Sequence, residues 1–441
     1  MIQSTVHHAS IRGLAKYIPI YFALFLSVAL LFCEYTVSYL VYDIVIEMAS
    51  SFLSAILIVV IIYFYIKRSR FFSLQLLYSY AFSLIIGIPA IYLLNFGEPR
   101  NGFELVCLWC VLLNIVLYFS SFTSKVKKQK KTVNNIFIII FIVVGICQLI
   151  KTFVYFRFIV NSGLGHLAIY TEGEILTAQV PFIIRAISGL SLIMSLATFY
   201  YKSPAKLKWV SFLLLASELL IGIRSKFFFS LLCIITLSLY ANRYVIKKQF
   251  VKVSKIQYLV IGFILFSLIS YFREGYEINF INYLVIVMDS LSSTLAGLQD
   301  LFLLPASQGW GNIDANIILT QILPISGFSF ISDLQIYKQF SMIVLGDISS
   351  GIALSSSGIL EATIISVKFN FYVYLIYLLL MLSLIQYWLN SSLSFLNFIA
   401  IAMLPGFFYS IRGELVLPLA YIIKSLPIII LAPFLTSRIE R

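Results

Sequence analysis

Seven basic side chains flank or interrupt long apolar stretches of the sequence, where a charge needs a chemical reason: Lys151, Arg157, Arg185, Arg224, Lys226, Arg273 and Arg412. The planar guanidinium of arginine pairs with two phosphate oxygens at once and keeps its charge when partly desolvated. The pattern predicts a diphosphate site, with all of these residues except Lys151 as its candidate ligands. The structural alternative is that the side chains reach toward the membrane surface or pair with nearby acids.

Two acids frame a run rich in glycine and serine, with Asp347 near its start and Glu361 at its end. Small residues let a backbone approach a polar ligand closely, and a carboxylate can take the proton from an attacking hydroxyl. Since a diphosphate is already a good leaving group, one base is enough without a general acid. Asp347 and Glu361 are therefore the candidate catalytic bases, unless the run is a solvated loop with exposed acids.

Two further charged residues fall inside apolar stretches. Glu218 precedes Arg224 by about one and a half helical turns, and Lys424 lies between Pro418 and Pro427. A charge inside a membrane is costly and usually serves a function. An internal Glu–Lys pair would be a purely structural explanation, so both interpretations stay open at this point.

Several familiar chemistries lack their signatures in this sequence. There is no GxxxxGK[ST] loop, no G-x-G-x-x-G, no H-E-x-x-H and no D-x-D pair that could chelate the metal of a nucleotide-sugar donor. The histidines are only His7, His8 and His166. We therefore expect neither ATP-driven transport nor zinc hydrolysis, and we predict no metal and no cofactor.

The elements that must position these residues are membrane helices. Of the 441 residues, 61% are hydrophobic and 11% charged, and the mean hydropathy is +1.00. Such a composition excludes a water-soluble globular domain, and the solid apolar runs, which do not alternate with polar residues, exclude a β-barrel. The predicted fold class is an all-α polytopic membrane protein with about 12 transmembrane helices.

The predicted spans are 17–36, 50–66, 71–94, 103–122, 134–151, 178–200, 208–222, 227–241, 256–272, 369–389, 393–410 and 415–434. Basic clusters occupy alternate loops between them. If those loops and both termini are cytoplasmic, that side holds 20 of the 31 basic residues and one of the 18 acids. Since cytoplasmic loops are enriched in lysine and arginine, we predict this orientation. The net charge of +13 is then explained by basic loops that face anionic membrane lipid, and we expect no nucleic acid partner.

Two features interrupt this regular pattern. The spans within 208–241 are too short for a full crossing, which predicts a hairpin whose tip, at Arg224, is sunk below the outer surface. Between the bundle of spans 1–9 (1–272) and spans 10–12 (369–441) lies a large external loop, 273–368. Its short apolar stretches, such as Asn282–Met288 and Ile317–Leu323, predict amphipathic helices that lie on the membrane face.

With these features the chain resembles the O-antigen polymerases of the Wzy type, which join lipid-linked oligosaccharide repeat units at the outer face of the bacterial inner membrane. The resemblance covers most of the chain through its many spans, its cytoplasmic termini and its large periplasmic loop. Locally it rests on the hairpin tip 222–225, the stretch Gly351–Glu361 and the Arg412-Gly413-Glu414 sequence.

The resemblance implies an undecaprenyl-diphosphate-linked oligosaccharide as substrate, a metal-independent glycosyl transfer, and a chain-length regulator as a protein partner. O-antigen ligase shares the architecture, but that family carries a functional histidine in its large loop, and 273–368 contains none. A lipid-linked oligosaccharide flippase or a transporter is the other alternative. A flippase needs no 96-residue external segment, and a transporter would more naturally show two similar halves.

Overall fold

A computed structural model of the chain describes residues 74–96, 102–120, 131–162, 173–221, 224–241, 295–304, 313, 322, 335–346, 357–366 and 371–438. These residues are mostly helical, which confirms the predicted helical character of the protein. One short two-stranded sheet is the exception.

The elements follow one another in this order: α1 (Leu74–Phe82), a π-helical turn (Ser83–Gly87), α2 (Ile88–Phe96), α3 (Phe103–Ser120), β1 (Lys131–Val133), α4 (Asn135–Asn161), α5 (Gly173–Ala178), α6 (Phe182–Ser188), α7 (Ser191–Tyr200), α8 (Ala205–Ala216), a 3₁₀ turn (Ser217–Ile221), α9 (Arg224–Ala241), α10 (Ala296–Leu303), α11 (Ile336–Leu345), α12 (Gly358–Ser366), α13 (Phe371–Leu389), α14 (Ser394–Tyr409), α15 (Leu417–Leu435) and β2 (Thr436–Arg438).

The chain forms two compact units, one from Met1–Lys125 with Lys247–Leu303 and the other from Val126–Ile246 with Leu304–Arg441. The predicted loop 273–368 therefore contributes to both units, with α10 in the first and α11 and α12 in the second. These boundaries differ from the predicted ones at 272 and 368, because compact units follow packing between helices, whereas the predicted boundaries follow the ends of apolar runs.

In the first unit, α1 and the π-helical turn pack against α3 through a polar contact. The buried Asn114 amide donates to the Ser83 hydroxyl at 2.9 Å and accepts from the Ser79 hydroxyl. Hydrogen bonds of this kind join helices in an apolar environment, where an unsatisfied amide would be costly.

In the second unit, the two-stranded sheet lies where the ends of several helices meet. Strand β1 pairs antiparallel with β2, and the backbone of Lys202, just after α7, bonds to both Lys131 and Val133. The Lys131 ammonium donates to Ser394, the first residue of α14, at 2.7 Å. The start of α4, the end of α7, the start of α14 and the end of α15 therefore meet at this end, which we call the basic end.

Nine of the twelve predicted spans coincide with helical segments, and the other three, 17–36, 50–66 and 256–272, lie outside the described residues. Among the described helices, four are long and apolar enough to cross a membrane: Leu74–Leu94, Asn135–Asn161, Phe182–Tyr200 and Leu417–Leu435. One face of α4 exposes large apolar side chains, including Ile139, Phe153 and Val160. Such a face suits contact with lipid.

One predicted boundary needs correction. Helix α4 continues ten residues past the predicted end at 151, because the Lys151 side chain is only 15% exposed and pairs inside the bundle, so its charge does not end the helix. The predicted span 178–200 corresponds to the candidate span Phe182–Tyr200, within which a two-residue turn at Gly189 and Leu190 separates α6 from α7. Of the two predicted amphipathic helices, Asn282–Met288 lies outside the described residues, and only Ile322 of Ile317–Leu323 lies within them.

Candidate functional site

Glu218 is the centre of a polar cluster inside the second unit. Its side chain lies in the 3₁₀ turn after α8 and is only 6% exposed. One oxygen, Oε1, accepts hydrogen bonds from Lys226 Nζ and from Gln148 Nε2, each at 2.8 Å, and lies 3.8 Å from Lys151 Nζ. We call these four residues the Glu218 cluster.

Helix geometry explains how the cluster forms. Gln148 and Lys151 are three residues apart on α4 and therefore share one face of that helix. The Gln148 amide also donates weakly to Thr152 at 3.4 Å and accepts from Ser191 of α7 at 3.3 Å. Four segments of the chain, namely α4, α7, the 3₁₀ turn and α9, are thereby joined by one polar network.

The cluster carries more positive than negative charge. One carboxylate faces two ammonium groups, and the Lys226 side chain is 31% exposed. Among the described residues, no hydrogen-bond donor reaches the second Glu218 oxygen, Oε2. Since buried charges are normally balanced, the excess positive charge favours an anionic ligand at the exposed Lys226 side of the cluster.

Arg185 extends this positive region. The residue lies in α6, and its Nε atom is buried with no hydrogen-bond partner among the described residues. Tyr155 of α4 is within electrostatic range of Arg185, Glu218 and Lys226, and the Lys151 ammonium lies 5.9 Å from the centre of the Tyr155 ring. Tyr155 therefore lies within electrostatic range of both the cluster and Arg185, whose Nε atom is a donor without a described partner.

A second charged pair adjoins the cluster from α15. The Lys424 ammonium lies 5.8 Å from the centre of the Tyr421 ring and interacts electrostatically with both Lys226 and Glu414. Glu414 belongs to the 410–416 turn, which connects α14 to α15. Burial raises the pKa of Glu414 above its usual range, although Lys424 opposes part of that rise by favouring the carboxylate.

Glu361 lies in the first turn of α12 and is 1% exposed. Its Oε2 atom accepts a hydrogen bond from the backbone N–H of Leu415, in the 410–416 turn, at 2.9 Å. Tyr337 of α11 lies within electrostatic range of both acids. Its burial and the negative charges of Glu414 and Glu361 raise the pKa of its phenol. Tyr337 therefore keeps its proton throughout the physiological pH range.

The other predicted site residues are only partly brought together. Lys226 pairs with Glu218, and Arg185 is within electrostatic range of Tyr155. Arg412 is half-buried in the 410–416 turn. Arg157 lies on the exposed face of α4, one residue after the exposed Phe156, whereas Lys151 is on the buried face. Arg224 begins α9, but its side chain, like Arg273 and Asp347, lies outside the described residues.

Sequence reasoning did not assign three participants to the site: Gln148, Lys151 and Glu414. A signal for the first two existed, because a glutamine and a lysine three residues apart in an apolar helix share one face and need polar partners. No such spacing pointed to Glu414, whose surroundings come from α11, α12 and α15 together. Within the described ranges, no group of three or more histidine, cysteine or acidic side chains is placed to hold a metal ion.

No known family model, curated protein or solved structure matches this chain. Its function must therefore be argued from the Glu218 cluster, the 410–416 turn and the membrane character of the helices around them.

Proposed function

We propose that this protein is a glycosyltransferase that polymerises undecaprenyl-diphosphate-linked oligosaccharide repeat units of O-antigen or a related surface polysaccharide. It would work at the periplasmic face of the bacterial inner membrane, with both termini in the cytoplasm and a chain-length regulator as its protein partner. The observation that carries the proposal is the Glu218 cluster, a buried cation-rich site within an apolar helical unit.

The position of the cluster suits a lipid-linked substrate. The basic end of the second unit gathers the start of α4 and the end of α15, whereas the cluster uses the second half of α4 and the start of α9. A positive-inside orientation would put the basic end in the cytoplasm and the cluster toward the opposite face. The exposed apolar residues Phe182 and Ile183 of α6, beside Arg185, offer a surface for a polyprenyl tail.

The charge of the cluster suits a diphosphate. Each phosphate of a lipid-linked sugar carries one negative charge, and Lys151, Lys226 and Arg185 exceed the single charge of Glu218 by two. Arg412 is half-buried in the adjoining 410–416 turn. Arg224, Arg273 and Arg157 remain predicted ligands from the sequence. Such cations bind phosphate through strong charge-assisted hydrogen bonds.

The proposed reaction needs cations that bind the diphosphate and a carboxylate that acts as a base. A hydroxyl oxygen of the acceptor sugar attacks the anomeric carbon of the donor, and its proton passes to a carboxylate base. The bond between the anomeric carbon and the phosphate oxygen breaks, and its electron pair leaves with undecaprenyl diphosphate. Cations fixed at the diphosphate stabilise the charge that grows there, without a metal step. Asp347 and Glu361 remain the bases predicted from the sequence.

Deletion of the gene in its source bacterium tests the proposal. We expect surface carbohydrate with single repeat units in place of polymer, while undecaprenyl-diphosphate-linked single units persist. The wild-type gene and Lys206→Met, an exposed residue at the start of α8 near the basic end, should restore polymer, whereas Lys226→Met should not. Full-length polymer retained on undecaprenyl diphosphate would instead indicate a ligase. Repeat units confined to the inner leaflet would indicate a flippase or transporter.

A further inference from the structure

The 410–416 turn is held in place by groups from two other helices. The Gly358 N–H, at the start of α12, donates to the Ser410 carbonyl at 2.9 Å. Glu361, one turn later, accepts the N–H of Leu415, and the Tyr377 hydroxyl of α13 donates to the carbonyl of the same residue. Both polar groups of the Leu415 backbone are thus bound by side chains from outside the turn.

The local structure of α12 directs Glu361 to this contact. The Ser357 hydroxyl caps the helix by accepting the Leu360 N–H at 3.2 Å, and the Ser357 carbonyl accepts the Glu361 N–H at 3.0 Å. A Cβ atom on Gly358 would lie 2.5 Å from the Ser410 oxygen, so only glycine permits this close approach. The helix start and the turn are therefore fitted to each other.

The surroundings of Glu361 differ from those of a general base. A base must reach the hydroxyl of a sugar, but Glu361 is 1% exposed and one of its oxygens already binds a main-chain N–H. Hydrogen bonds to a carboxylate also weaken it as a base. In contrast, Arg412 and Glu414, in the turn that Glu361 holds, are both partly exposed.

We propose that Glu361 is a positioning residue, which holds the 410–416 turn so that Arg412 and Glu414 face the lipid-linked substrate. This inference rests on the proposed function and replaces the role of base that the sequence suggested for Glu361. The hydrogen bond from Leu415 needs only an acceptor oxygen, so an amide at position 361 can keep it. An alanine leaves the buried Leu415 N–H without its partner.

Three variants test this inference: Glu361→Gln, Glu361→Ala and, as a matched control, Thr363→Val. Thr363 is buried in the same helix, and its hydroxyl donates to the Ile359 carbonyl of that helix. Transfer is measured with the purified full-length protein in lipid nanodiscs and an undecaprenyl-diphosphate-linked oligosaccharide. We expect Glu361→Gln to stay within about threefold of wild type and Glu361→Ala to lose about 10- to 100-fold in kcat/KM, mainly through a higher KM.

Hydrogen exchange of the backbone amides gives a second readout, which needs no activity. We expect faster exchange across 410–416 in Glu361→Ala, and wild-type exchange there in Glu361→Gln and Thr363→Val. A loss of about 100-fold in kcat for Glu361→Gln, with unchanged KM and exchange, would restore the role of base and overturn the inference. Wild-type exchange in Glu361→Ala would overturn it as well. Absence of transfer by the wild-type protein would refute the proposed function alone, because the exchange experiment would still report on the turn.

Discussion

Replacement of Glu218 by glutamine should separate the structural role of the Glu218 cluster from its role in binding phosphate. Glu218 carries the one negative charge that the described residues place between Lys151 and Lys226, so the change leaves two ammonium groups facing each other in a buried site. Loss of one partner of a buried ion pair costs about 3–5 kcal/mol. Because the Lys226 side chain is 31% exposed, water screens part of this loss, and we expect the free energy of unfolding to fall by about 3 kcal/mol.

Lys226→Met should cost less, because Glu218 keeps Gln148 at 2.8 Å and Lys151 at 3.8 Å. A hydrogen bond to a charged group contributes about 1.5–3 kcal/mol, and the 31% exposure of the Lys226 side chain reduces the expected loss to about 1–2 kcal/mol. The double variant removes both charges of the closest pair, so its loss should be smaller than the sum of the single losses. The expected coupling energy is about 1–2 kcal/mol.

Unfolding by sodium dodecyl sulfate in mixed micelles would measure these free energies, with Lys206→Met as the control that should match wild type. The double variant should lose about 3 kcal/mol, no more than Glu218→Gln alone, yet form no polymer, because the exposed phosphate-binding cation is missing. If the loss of the double variant equals the sum of the two single losses to within about 0.5 kcal/mol, Glu218 and Lys226 do not interact. Polymer formed by the double variant would remove Lys226 from the substrate site.

Three further predictions concern the turn and the hairpin. Burial raises the pKa of Glu414, so the folded protein holds a proton that the unfolded chain has lost, and stability should fall as pH rises from the usual carboxyl range through the raised value. Glu414→Gln should remove this part of the pH dependence of the melting temperature, and parallel curves for the two proteins would contradict it. Gly358→Ala should destabilise the protein by about 1–3 kcal/mol in the same micelle assay, because the clash with Ser410 outweighs the better helix propensity of alanine; an unchanged value would show that the contact is loose. Arg224→Ala should lower polymer formation by about 10²-fold or more, and Arg224→Lys by less, at normal protein levels on a membrane immunoblot; normal polymer ladders from Arg224→Ala would exclude Arg224 from the site.

The sequence predicted the helices well because apolar runs of about 20 residues have few alternatives in a membrane. It also indicated that Glu218 needed a partner, since an isolated charge among apolar residues is costly. It could not show that the partners are Lys226 and Lys151, because Lys424 and Arg224 were equally plausible by sequence position. Only the packing of α4 against the 3₁₀ turn distinguishes them.

Glu361 shows a second limit of sequence reasoning. Its glycine- and serine-rich neighbourhood predicts a loop whose backbone could approach a ligand. The structure instead places Glu361 inside a short helix that packs against the 410–416 turn. This contact joins residues more than 50 positions apart, and no local pattern encodes such a distance.

The sheet at the basic end also constrains the order in which the protein is assembled. Strand β1 comes before α4, whereas its partner β2 comes after α15, so the two strands lie about 300 residues apart along the chain. A ribosome at ordinary speed needs tens of seconds to make that length. During this time the hydrogen-bonding edge of β1 stays unpaired on the β2 side. The second unit is therefore complete only after α15 and β2 have been synthesised, and the helices that form the Glu218 cluster are made before α15 is present.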